Sequence, residues 1–470
     1  MAWQKIYMLK KMPWRASLLL GGAMLAVALP GAAETLSFTQ CVDRALKQNP
    51  DIKVSHTQIE QAEGGLRQAS GNRFPKLTAS LMATHTDDAL NAFGLKLSQR
   101  NATFNDFGAG EFNPANPNVL SVAPANLNHP GAVTNYNTRL ELQIPIYNGG
   151  MISGYVEQAR AYVQAAQHGD VAARQQVTFR VLQAYEGVHA ARAFIKVAEQ
   201  GKAAAEAYVK TTDNLLKQGV VVRSELLSAQ VNLENIKVQL EQARNGEAAA
   251  LDQLRLLLGM SLDSPLDVGA SVLPKPVEGS VEQLRQQAVE NNPGILALRQ
   301  QTEAARAGVA VAKAANYPHF NVVARQDWND KTLAMGASSY TVAGVLSWQL
   351  FDAGSTRGAV DRADAGRAES LTKLKQAEDG VRFQVGDAWR KAAEAENRVS
   401  ARELAVSQAE EAQRLVAKRY ANGVTTMVEM LAAQAQLDKA RADLVAARYE
   451  NAVQRAALRL ATGKLDPDQI

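Results

Sequence analysis

Lys217-Gln218-Gly219-Val220 and, 204 residues further on, Ala421-Asn422-Gly423-Val424 are the two short stretches that decide how this chain folds. Each interrupts a long helical pattern at a single glycine. No proline lies between Pro145 and Pro265, nor between Pro318 and Pro467. These spans are rich in Ala, Gln, Glu, Lys, Arg and Leu, the good helix formers. Gly219 and Gly423 therefore read as helix C-terminal caps, each followed by a restart. Aligned without gaps, 215–259 and 419–463 share 15 identical residues in 45 positions.

Working outward, the self-similarity continues. Asn49-Pro50 recurs as Asn292-Pro293 and Phe74-Pro75 as Tyr317-Pro318, both at an offset of 243. Tyr147-Asn148-Gly149-Gly150 matches Phe351-Asp352-Ala353-Gly354 at an offset of 204, so the first copy carries 39 extra residues between Pro75 and Tyr147. The expected division is repeat 1 over 34–264, a proline-containing linker over 265–280, repeat 2 over 281–464 and a tail over 465–470. The insertion, about 86–134, holds Asn113-Pro114-Ala115-Asn116-Pro117 with Phe93, Phe104, Phe107 and Phe112. It reads as an extracellular loop of undetermined role.

Length constrains the arrangement. Helices expected over 150–217 and 354–420 would each be about 100 Å long. Return helices over 222–258 and 425–462, and opening helices over 39–71 and 282–314, are each about half that. One opening plus one return helix matches one long helix, so the short pair is expected to stack end to end beside it. The return helices carry a heptad: Leu226, Leu233, Leu240 and Leu254, then Met430, Leu437, Leu444 and Leu458. Ala229, Ile236 and Ala243, and Ala433, Ala440 and Ala447, stand three residues on. That is a coiled-coil seam of small residues; ordinary antiparallel bundle packing would read alike.

Between opening and long helices the period changes to two. Leu140, Leu142, Ile144 and Ile146 alternate with Arg139, Glu141 and Gln143. Tyr340, Val342, Gly344, Leu346, Trp348 and Leu350 form a second run; Leu77–Ala83 and Phe320–Trp328 hold two weaker ones. Each approaches the length of a tilted membrane strand. A soluble sheet with one wet face would alternate likewise. An export signal, and aromatics at the strand ends (Trp328, Tyr340, Tyr147, Phe351), favour the membrane. Four strands are too few to close a membrane barrel, so the chain is expected to oligomerise.

The export signal is read at 1–33. Lys5, Lys10, Lys11 and Arg15 precede the 14-residue apolar run Ala16–Leu29, and small residues lead to expected cleavage between Ala33 and Glu34. With those four set aside, 47 basic residues face 47 acidic ones, which argues against a nucleic-acid binder working through bulk basicity. A single cysteine, Cys41, excludes a disulfide framework. It lacks a lipidation pattern and reads as a small buried residue of the first helix. His56, His85, His129, His168, His189 and His319 have no ligand spacing, and no Ser-His-Asp set or phosphate loop is visible. The chain reads as no enzyme.

On the Asn-Pro openings, the Tyr147–Gly150 and Phe351–Gly354 strand exits, the Gly219 and Gly423 turns and the element order, the chain resembles the TolC family of outer membrane efflux proteins. The match spans essentially all of 34–464. The resemblance implies an α+β membrane protein of two tandem repeats that assembles as a homotrimer. Long α-helices would form a periplasmic helical barrel closed at its far tip, and four β-strands per subunit would contribute to a 12-stranded outer-membrane β-barrel. It implies outer membrane lipid, a periplasmic adaptor and an inner-membrane pump of RND or ABC type as partners, with no cofactor and no nucleic acid. The leading function is the duct of a tripartite efflux system for drugs, toxic organics or metal ions. The duct of a type I protein secretion system is the alternative. A soluble periplasmic coiled-coil scaffold or adaptor would leave the alternating strands unexplained.

The resemblance also supplies site expectations. Gln218, Gly219 and Val220, with Asn422, Gly423 and Val424, would form the periplasmic tip that meets the adaptor, though glycine is needed there for the turn in any case. Glu429 fits the family's first acidic aperture position, expected as a ring of three carboxylates, whereas the second falls on Ala432. Thr425 stands where the family has an arginine, and Tyr420 fits a tyrosine of the gating network. Glu225, the counterpart of Glu429 in repeat 1, is expected to supply the missing charge.

Overall fold

The computed structural model describes residues 34–467. The expected export segment, Ala33 included, lies outside the described residues; Glu34 is the first of them.

In chain order the elements are β1 (Glu34–Leu36), α1 (Phe38–Gln48), α2 (Pro50–Gly71), β2 (Lys76–Thr86), α3 (Ala89–Ser98), α4 (Ala125–Asn128), β3 (Val133–Asn148), α5 (Met151–Lys217), α6 (Arg223–Leu257), β4 (Leu266–Val268), α7 (Val281–Asn291), α8 (Pro293–Ala314), β5 (His319–Asp330), β6 (Ala337–Ser347), α9 (Ser355–Ala421) and α10 (Met427–Ala461). The fold is mixed α+β, dominated by long helices. α5 and α9 each have 67 residues, and α6 and α10 each have 35.

Each expected opening helix is in fact two helices. The break falls at Asn49-Pro50 and again at Asn292-Pro293. A residue before proline is pushed out of the helical region, and Asn49 and Asn292 are both extended. Each asparagine then caps the next helix: Asn49 Oδ1 accepts from Asp51 N at 2.8 Å, and Asn292 Oδ1 from Gly294 N at 2.9 Å. Proline at the first helical position fits because that N–H has no helical partner. α1 and α7 start with matching capping boxes, Ser37 with Gln40 and Ser280 with Gln283.

The end-to-end stacking is present. Asn49 Nδ2 donates to Leu257 O at 3.0 Å, tying the end of α6 to the start of α2. Gly259 lies against Gln48, and Gly463 against Asn291 and Asn292. α2 and α6 run along α5, and α8 and α10 along α9; α8 and α10 also pack on α5. The heptad seam is largely inward, with Leu240, Leu254, Met430, Leu437 and Leu458 buried.

The principal core lies at this splice. Phe38, Val42, Ile52, Leu182, Tyr185 and Leu254 meet Leu266, Val268 and Leu465. Cys41 is fully buried there, as expected. Leu465, the first residue of the expected tail, packs into this core with its side chain 3% exposed. β1 and β4 form a small parallel pair that the alternation did not disclose. It fastens the linker to the first residues of the described chain. α5 holds the linker further: Tyr185 Oη donates to Ala270 O at 3.0 Å, and the buried Glu186 accepts from Ser271 Oγ and Val272 N, both at 2.8 Å.

The remaining strands form one antiparallel sheet in the order β2-β3-β5-β6. β3 starts at Val133, so the insertion spans 87–132; it contains α3, α4 and short 3-10 turns rather than plain loop. β6 stops at Ser347, short of the expected Trp348 and Leu350; Trp348 instead donates from its indole to Asn316 O. The register slips by one residue between Pro145 and Tyr147, where proline has no N–H for the ladder.

Candidate functional site

The two helical turns lie about 100 Å along α5 and α9 from the sheet. In the first, Val220 N reaches back to Leu215 O at 2.9 Å; in the second, Val424 N reaches Arg419 O at 2.9 Å. This closure needs a left-handed residue, supplied by Gly219 at φ 73° and Gly423 at φ 71°. The turns are neighbours: a Cβ on Gly423 would stand 3.1 Å from Val220 Cγ1. Val220, Val222, Val424 and Val428 are all more than half exposed.

Behind the turns an apolar cluster locks the two helical hairpins together. Tyr208, Leu215, Ala229, Tyr420, Met427 and Met430 form it. A chain of polar groups threads through. Tyr420 Oη lies 3.0 Å from Thr212 Oγ1 and donates to Glu225 Oε2 at 3.3 Å. Tyr208 Oη donates to Gln434 Oε1 at 2.7 Å, and Gln434 Nε2 donates to Asp438 Oδ1 at 2.8 Å. Burial pushes the Tyr420 hydroxyl pKa up, with the Glu225 carboxylate adding to it; burial also raises Tyr208 and Asp438. These phenols are neutral donors at any physiological pH.

Each expected site residue can now be placed. Gln218, Gly219, Val220, Asn422, Gly423 and Val424 form the paired turns. Tyr420 and Glu225 are brought together. Glu429 is held within the chain: Arg419 Nη1 lies 3.1 Å from its Oε1, and Thr425 Oγ1 donates to its Oε2. Glu429 is thus paired within the chain rather than bare. Thr425 touches Glu429 through its hydroxyl, and Arg419 brings a guanidinium to it from the last turn of α9. Arg419, Thr212, Tyr208 and Gln434 were not singled out from sequence. Arg419 alone left a signal there, a basic residue ending one helix opposite an acidic residue opening the next.

At the opposite end the sheet has two unlike faces. By register, one carries Leu77, Leu81, Leu140, Leu142, Val322, Ala324, Val342 and Leu346. The other carries Thr78, Ser80, Asn137, Arg139, Glu141, Arg325, Asp327 and Thr341. On the polar face Arg139 Nε donates to Asp327 Oδ1 at 2.7 Å, and Asn137 Nδ2 bonds both Asp327 and Asn329 at 3.1 Å. On the apolar face Leu77, Leu81, Val342 and Leu346 stand more than half exposed. Among the described residues no helix is long and apolar enough to cross a membrane, and no cluster of His, Cys, Asp and Glu could hold a metal ion.

The profile of the outer membrane efflux protein family matches residues 41–260 and 284–464. The chain belongs to the outer membrane efflux protein family. Membership in this TolC-type family places the protein in the outer membrane, with its long helical part in the periplasm, and makes it a channel rather than an enzyme. Among its relatives, the alkaline protease secretion protein AprF of Pseudomonas aeruginosa is 26% identical over 342 residues, 70% of each chain. The outer membrane efflux protein BepC of Brucella suis is 23% identical over 345 residues, 72% of this chain and 75% of its own. The solved structure of CusC superposes with a TM-score of 0.76 at 17% identity, covering 92% of this chain and 93% of that one.

Proposed function

We propose that three copies of this chain form one continuous duct from an inner-membrane pump to the cell exterior. The observation that carries the reading is the four-stranded sheet with one apolar face, one polar face and two unpaired edges, β2 and β6. In lipid every backbone N–H and C=O must be satisfied, so an open-edged sheet is excluded there. Joining three sheets edge to edge gives twelve strands and no edge, with lipid outside and water inside. The helices then continue the tube. Tandem duplication of one unit, 34–264 and 281–464, supplies matching staves.

The tip is the proposed gate and docking point. Gln218–Val220 and Asn422–Val424 offer exposed valines to a periplasmic adaptor. Tyr420, Glu225, Thr212 and the Arg419–Glu429 pair hold the hairpins in one arrangement. Three Glu429 carboxylates gathered at the axis would face one another across the aperture, each already offset by Arg419. Replacing Tyr420 by Phe keeps the apolar packing and deletes both hydroxyl contacts. Single-channel conductance in planar bilayers is expected to rise, by about two-fold or more if this latch narrows the aperture.

For cargo, small-molecule efflux is the first reading, supported by the likeness to BepC. The likeness to AprF specifically favours protein secretion as the second. Partners decide between them. Cysteines at Val220 and Val424, joined to a short crosslinker in cells, are expected to capture an adaptor with its pump. Cys41 is fully buried and does not compete. A drug or metal pump of the RND kind means efflux; an ATP-driven exporter of the ABC kind with a protein cargo means secretion. A protein found free in the periplasm with nothing captured overturns the duct.

A further inference from the structure

The insertion of residues 87–132 does not stand away from the sheet; it reaches back onto the polar face. Gln99, 9% exposed, donates from Nε2 to Asn135 Oδ1 at 2.9 Å and to Thr134 O at 2.8 Å. Asn135, 1% exposed, donates onward to Asn329 Oδ1 at 3.0 Å. Arg100 Nη2 donates to Ser338 O at 2.6 Å, spanning from the insertion to β6. One short segment therefore bonds to β3 and β6 directly, and through Asn135 to β5, at the ends remote from the helices. Asn135 stands on the same face as Asn137 and Arg139, by strand alternation.

The segment is built to hold a shape. Asp88 caps α3 through Asn91 N at 2.9 Å. Lys96 and Asp106 pair at 2.6 Å across ten residues, and this bond with those from Thr103 holds the Asp106 pKa at about 2. Phe93 and Phe107 stack edge to face at 4.7 Å. Glu111 accepts from the backbone N–H groups of Ala125 and Asn126. A loop serving only as exposed decoration has no need of a polar anchor buried on the channel-side face.

We infer that the insertion is a second constriction, at the extracellular mouth, which sorts solutes by size independently of the periplasmic tip. This rests on the barrel reading, in which the polar face lines the lumen. Leu90, Phe104 and Leu120 are more than four-fifths exposed in the single chain. Anchored over the lumen, their segments are placed to meet their copies from the other two subunits. Three inward ledges leave a passage for small solutes and ions and refuse bulky ones until the anchors release.

Thiol labelling of intact cells tests this. Ser80→Cys reports from the polar face of β2 and Leu81→Cys from the apolar face, six and five residues below the end of that strand at Thr86. The probes are a small charged methanethiosulfonate and a maleimide on a long polyethylene glycol chain, both added outside. With the insertion native, Ser80→Cys is expected to react with the small reagent and resist the large one. Gln99→Ala with Arg100→Ala, or replacement of 89–131 by Gly-Ser-Gly, is expected to raise the large reagent's rate about tenfold or more. If that rate stays low in both variants while the small reagent still enters, the mouth constriction is overturned and the barrel stands. If Ser80→Cys resists even the small reagent while Leu81→Cys reacts, the faces are reversed and the barrel reading fails with it.

Discussion

At the scale of single residues, the turns at Gly219 and Gly423 are held by backbone geometry more than by side chains. A left-handed residue carrying a Cβ costs about 1–2 kcal/mol, less for asparagine. Nothing lies within 4 Å of a Cβ placed on Gly219, and the only neighbour at Gly423 is the half-exposed Val220, which has room to turn aside. Gly219→Ala and Gly423→Ala are therefore expected to lower stability by similar amounts, about 1 kcal/mol each, and the asparagine variants by less. Thermal unfolding of the purified protein in detergent checks the order. These glycines were legible because a helix stop leaves a local mark. The partner of Tyr420 was not: Thr212 and Glu225 lie 208 and 195 residues away, and a pair so distant in sequence leaves no periodicity.

At the scale of elements, the linker behaves as a strap across the splice. Arg192 of α5 holds Glu247 of α6 at 2.7 Å and Asp267 of β4 at 2.6 Å. The Arg192 hydrogen bond holds the Asp267 pKa below its ordinary 3.8. A carboxylate with a lowered folded-state pKa stabilises fully above the unfolded value and loses that contribution as pH falls through the folded one. The β1–β4 pair is accordingly expected to loosen below about pH 4, and Asp267→Asn to remove much of that pH dependence. Hydrogen exchange of 265–272 between pH 7 and pH 3 measures it. The long helices, the return helices and the strand faces could be read from period and length. The Asn-Pro motifs were visible as repeats yet not as breaks, because good helix formers flank them on both sides. β1 and β4 are three residues each, too short for alternation to show. The insertion's anchor escaped notice because Gln99 is a polar residue in a polar stretch, and burial alone gives it meaning.

At the scale of the whole molecule, the two sheet faces predict opposite responses to charge. An arginine facing lipid at mid-strand costs about 2–4 kcal/mol, and one facing a lumen costs little. Leu81→Arg is expected to deplete heat-stable oligomer from the outer membrane, while Ser80→Arg leaves it near the native amount. Membrane fractionation and unheated gels read both. The splices at Asn49 and Asn292 have a mechanical consequence as well. α5 and α9 are unbroken rods, but the staves beside them are cut, and no backbone ladder crosses those cuts. Bending stiffness at that height rests on the two rods and on the core and linker strap that bind the cut ends to them, not on the staves themselves. Torque applied at the tip is therefore expected to bear on that core and strap before it reaches the sheet.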